Sequence, residues 1–96
     1  MADNSELRRR EARGKQAEKI LQDDLVKEAF EMIERRVYEA WKSTTPEDDR
    51  ARHDCYLMHQ IFGDFQDFFK AAVTKGKTAT TELIRTQKAN HSQKDT

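Results

Sequence analysis

The sequence predicts an all-α protein: an antiparallel hairpin of two long helices, with an additional N-terminal helical segment, a short C-terminal helix and a tendency to self-associate. Three observations predict it. Turn formers are scarce, with 3 Gly and 1 Pro in 96 residues, too few for many short strands. Leu, Ala, Glu, Lys, Arg and Gln are abundant, and these side chains lose little freedom in a helix. Through the middle of the chain, large apolar residues recur three and four apart. Hydrophobic residues are 35% and charged residues 38%, with a mean hydropathy of −1.05. Such a chain forms helices with narrow apolar stripes and wide solvated faces.

Residues 1–22 read as a charged N-terminal segment, helical in part. Asp3, Asn4 and Ser5 are each suited to cap it. Leu7, Ala17, Ile20 and Leu21 make a weak stripe, and Gly14 interrupts it at a cost of about 1 kcal/mol relative to Ala.

Residues 23–76 read as the hairpin core. Asp23 or Asp24 can accept the free N–H groups of a new first turn. Val26, Phe30, Ile33, Val37 and Trp41 then follow at spacings of 4, 3, 4 and 4, giving an amphipathic helix over about 25–42. Thr45 is the expected cap of the next helix, with Pro46 at its first position, where the missing N–H costs nothing. Met58, Phe62, Phe65, Phe69 and Ala72 carry its stripe at spacings of 4, 3, 4 and 3, widened by Leu57, Ile61 and Phe68. Gly63 reads as a point of close helix approach, and Gly76 as the C-cap of a helix ending near Thr74. Residues 77–96 read as a short helix to Lys88, built on Ala79, Leu83 and Ile84, and a frayed tail.

A hairpin gives each helix one neighbour, so part of each stripe stays uncovered. Cores this small need a disulfide, a metal or a further chain. Cys55 is the only cysteine, so no intrachain disulfide forms. Self-association, or docking on a larger assembly, is therefore expected. Phe30, Trp41, Phe62, Phe65, Phe68 and Phe69 are the expected packing anchors, because aromatics are enriched at the centres of interfaces.

The charge pattern bounds the partners. Net charge is zero, but residues 1–22 carry six Lys/Arg against four Asp/Glu, and residues 23–50 carry five against nine. A strongly basic face would point to nucleic acid, and this balance does not. Arg8, Arg9, Arg10 and Arg13 remain candidate phosphate contacts, diluted by Glu6 and Glu11, with no convincing helix-turn-helix spacing. His53, Cys55 and His59 are the one metal-like group, but no second Cys/His pair exists and His91 stands alone, so no metal is expected. Cys55 lacks the pocket and oxyanion-stabilising turn that a nucleophile needs, so neither enzyme activity, a cofactor nor a small-molecule substrate is expected. Met1–Arg13 has no apolar core of a secretory leader, and no apolar run is long enough to span a membrane.

One stretch carries a family likeness. Arg13-Gly14-Lys15-Gln16-Ala17 leads to Ile20-Leu21; Glu28-Ala29-Phe30 and Ile33-Glu34 follow; Trp41 precedes Thr45-Pro46; Arg52 follows the acidic turn; and Gly76-Lys77 comes after the long stripe. From Arg13 to Leu83 the chain resembles small helical proteins of tailed phages and prophages. Its hairpin is also similar to the oligomerisation core of small terminase subunits, which form rings that pass viral DNA to the packaging motor. The resemblance implies a non-enzymatic phage assembly subunit for DNA packaging or head morphogenesis. It would act on copies of itself or on larger phage proteins in the host cytoplasm or with the virion, with at most weak nucleic-acid contact. The residues alone leave two alternatives open: a nucleic-acid-binding regulator, and a small inhibitor or adaptor of one host protein.

Overall fold

Three helices make up nearly all of the described chain: α1 (Asn4–Gln22), α2 (Asp24–Lys42) and α3 (Asp49–Lys94). The structure, a computed structural model, describes the backbone over residues 4–94 and side chains over 4–89. No strand occurs among the described residues, so the chain is all-α. The candidate cap Asp3 lies outside the described residues, as do the side chain of His91 and the end of the tail.

The chain divides into two compact units. One combines the N-terminal stretch up to Lys19 with the stretch from Phe69 onward, and the other is Ile20–Phe68. α3 supplies residues to both.

In the first unit, α1 and α3 meet through small residues. Gly14, Ala17 and Ala79 are buried, together with Leu7 and Gly76. A Cβ on Gly14 would lie 2.7 Å from the Gly76 Cα and 3.0 Å from the Ala72 carbonyl oxygen. A Cβ on Gly76 would lie 2.8 Å from the Gly14 Cα and 3.1 Å from the Arg10 carbonyl oxygen. These are backbone atoms that cannot swing aside, so only hydrogen fits at either position. The Cα hydrogen that stands where each Cβ would be is directed at a carbonyl of the opposite helix, a weak attraction that recurs where helices come this close. Three residues toward the N-terminus of α1, the Thr80 hydroxyl lies 2.5 Å from Glu11 Oε2 and 3.0 Å from the Gly76 carbonyl, with one proton to donate. Donation to the carboxylate is the stronger bond. As numbers fall on α1 they rise on α3, so the two helices run in opposite senses.

Two expectations are corrected here. Gly76 is not a C-cap: it has no positive φ, and α3 passes through it to Lys94. The long helix expected to end near Thr74 and the short one expected over 77–88 are a single element. Gly76 is there for the neighbouring backbone, not for a turn. Gly63, read as a point of close approach, has nothing within 4 Å of its Cβ position.

In the second unit, the helix ends are made by short polar side chains. The Asp23 carboxylate accepts from the N–H groups of Leu25 (2.9 Å) and Val26 (3.1 Å), which makes it the N-cap of α2. At the other end, the Ser43 hydroxyl donates to the Glu39 carbonyl at 2.9 Å and the Thr44 hydroxyl to that of Trp41 at 2.6 Å. The chain then turns through Thr45–Asp48, with the Asp48 N–H donating to the Thr45 carbonyl at 3.0 Å. Asp48, not Thr45, caps α3, accepting from the Ala51 N–H at 3.1 Å. Pro46 therefore stands second in a turn instead of first in a helix. Both places demand the same φ near −65°, so the proline fits either.

Arg52 ties this connection together. Its Nε lies 3.1 Å from both Thr44 Oγ1 and the Thr45 carbonyl, and its guanidinium carbon is 5.4 Å from the centre of the Trp41 ring.

The glycines give a direct test by thermal unfolding. Gly14→Ala and Gly76→Ala each gain about 1 kcal/mol of helix propensity but force the backbones apart, for a net loss of about 1–2 kcal/mol. Gly63→Ala meets open space and raises stability by about 0.5–1 kcal/mol.

Candidate docking surface

The second unit is organised by large apolar side chains, in contrast to the first. Phe30 of α2 stands edge-on to Phe62 at 5.6 Å and to Phe65 at 5.9 Å between ring centres. Eleven residues further along α2, Trp41 meets Arg52. The contacts run in opposite directions on the two helices, and they fix which sides of α2 and α3 face each other. Each helix continues its apolar stripe beyond that facing line. On α2, Ile33 is rotated by about 60° from Phe30, whereas Leu25 and Met32, rotated by about 140–160°, line a separate hollow of α2 with Ala29 and Arg35; on α3, Met58, Ile61, Phe68 and Leu57 are rotated by about 40–140° from Phe62, in the same rotational direction as Ile33. For helices running in opposite senses, equal rotation leads to the same side of the layer. Ile33 and these α3 side chains therefore share one apolar surface.

That surface is open. Ile61 is 67% exposed and Phe68 61%, and Ile33, Leu57, Met58 and Phe65 are all exposed as well. Among the described residues the buried hydrophobics are Leu7, Ala17, Cys55 and Ala79, and no large side chain is fully enclosed. Contiguous apolar patches of this extent mark interaction sites in soluble proteins.

The opposite side of the layer is a shallow groove of about 310 Å³ between Val37, Tyr38 and Trp41 on α2 and Cys55, Tyr56 and His59 on α3, with Glu34 at its margin. Its aromatic walls are already engaged by cations: Lys42 lies 5.9 Å from the Tyr38 ring centre and Arg52 covers Trp41. The Cys55 thiol is buried in its floor.

The expected anchors are distributed as follows. Phe30, Phe62 and Phe65 come together, with Phe30 and Phe62 half-buried. Trp41 is 46% exposed beside the α2–α3 connection. Phe68 belongs to the open surface, and Phe69 is half-buried in the first unit. Sequence reasoning missed Glu11, Gly14, Gly76 and Thr80 as contact residues. Their signal was the run of small side chains Ala72, Gly76 and Ala79 at spacings of 4 and 3.

Arg8, Arg9, Arg10 and Arg13 are all exposed on α1. Arg10 Nε donates to Glu6 at 3.2 Å, and Arg9 lies 3.9 Å from the same carboxylate. At 100° per residue, Arg8 points about 100–200° away from the other three, so the four do not form one stripe along a phosphate backbone. His53 and His59 are exposed and Cys55 is buried. Among the described residues no group of three or more His, Cys, Asp or Glu side chains is gathered to hold an ion. No described helix is long and apolar enough to cross a membrane.

Comparison with protein-family models, with curated proteins and with solved structures finds no match to this chain.

The Phe30 cluster yields a measurable asymmetry. Phe30→Ala, which removes two edge-to-face ring contacts, lowers the unfolding free energy by about 2–3 kcal/mol. Tyr38→Ala, at a site 58% exposed, changes it by less than about 1 kcal/mol in the same denaturant titration.

Proposed function

We propose that this chain is a non-enzymatic assembly subunit: a helical hairpin that works by laying the open face of α2 and α3 against other protein chains. The observation that carries this is the exposure of an apolar surface across α2 and α3 in a chain whose described residues include no fully enclosed large side chain. A surface that costs solvation in the free chain and is retained at this size is suited to being covered. The finer reading, phage DNA packaging or head morphogenesis in a small-terminase-like role, rests on the resemblance read in the sequence of residues 13–83 alone.

Nucleic-acid recognition is the weaker alternative, because Arg9 and Arg10 share Glu6 and Arg8 points away from the other three arginines. Co-expression with phage head and packaging proteins tests the proposal, with complexes followed by light scattering. An assembly subunit forms a stoichiometric complex, with itself or with one of those proteins, and keeps it when Arg8, Arg9, Arg10 and Arg13 are all changed to Ala. A chain that stays at 11.3 kDa alone and in every mixture contradicts it. So does one whose main activity is duplex binding that collapses with salt and with the arginine changes.

A further inference from the structure

Resting on the docking function proposed above, we propose that the occupant of the open α2–α3 face is a second copy of this chain, so that two two-helix layers close face to face into a four-helix core. Three observations select this occupant. The first is area. The exposed parts of Ile33, Leu57, Met58, Ile61, Phe65 and Phe68 amount to on the order of 650 Å², within the range that one partner contributes to a standard interface. The second is shape: a flat layer two helices wide is the half of a four-helix arrangement, and a two-fold axis through it covers both halves with the same patch.

The third is charge. A face that meets its own copy must carry both signs, since a single sign would repel itself. Arg36 on α2 and Arg50 on α3 lie beside the apolar surface, and so do Asp54 and Asp64 on α3. All four are exposed, and among the described residues none forms an ion pair within the chain. The groove on the other side offers no comparable match. It is smaller, and Arg52 and Lys42 already lie over its Trp41 and Tyr38 rings.

The test is sedimentation equilibrium on the full chain and two variants. Ile61→Glu places a charge in the centre of the proposed contact, at a side chain 67% exposed in the single chain. Tyr56→Glu places one on the opposite side of the layer, where Tyr56 is 56% exposed. The wild-type chain and Tyr56→Glu are expected to sediment as a dimer or a higher even multiple. Ile61→Glu is expected to associate at least about tenfold more weakly. Loss of helicity in Ile61→Glu together with loss of mass also supports the proposal, because folding is then completed by the second copy. Equal association of all three proteins overturns it, as does a monomeric wild-type chain. A monomeric chain that still joins a heterologous complex leaves the docking function standing and removes only the self-pairing; one that joins nothing removes both.

Discussion

The meeting of two backbones at Gly14 and Gly76 is the constraint on which the rest of this structure depends. With more charged than hydrophobic residues, the chain cannot enclose a core of large side chains, and in the unit made by α1 and the later part of α3 it does not try. It removes side chains instead. Two glycines, flanked by Ala17, Ala72 and Ala79, let the helices approach until each backbone is the other's packing surface. Contact between backbones fixes register more tightly than contact between flexible side chains, and the Thr80–Glu11 bond can form only in that register. The apolar residues saved there are spent in the other unit, where Phe30, Phe62 and Phe65 link α2 to α3 but leave much of both stripes facing water. One unit is closed on itself by small residues, and the other is left with large ones to be covered.

That division makes the proposed function a matter of packing. His53 and His59 are exposed, and the Cys55 thiol is buried in the groove that His59, Tyr38, Trp41 and Tyr56 also line. Of the four arginines of α1, Arg8 points away from the other three, and two of them lie by Glu6. What remains is an apolar layer of two helices with charges of both signs along it. Such a layer suits a partner built the same way.

Much of this was legible in the residues. The spacings of Val26, Phe30, Val37 and Trp41, and of Met58, Phe62 and Phe65, predict the helices, because burial of large side chains sets the helical period, but not which side of each helix turns inward. What the residues hid turned on amino acids with two physical uses. Gly76 fits a C-cap or a close approach, and only the presence of Gly14 across from it decides which. Pro46 fits the first turn of a helix or the second position of a β-turn, and the better cap chemistry of Asp48 decides it. Gly63 suggested an approach that does not exist, since a lone glycine says nothing of what lies opposite. The open face was foreseeable as an uncovered stripe, but its width was not. It depends on the opposite senses of α2 and α3, which bring both stripes to the same side.

The concentration dependence of thermal unfolding tests the central claim most directly, because it asks whether folding is completed by another copy without altering a single residue. The account predicts that the midpoint, followed by circular dichroism, rises steadily over about a hundredfold range of protein concentration, as mass action requires when the folded state is the associated one. A midpoint that stays constant across that range, with one cooperative transition, would mean that the chain folds alone with its apolar face in water, and would contradict the account.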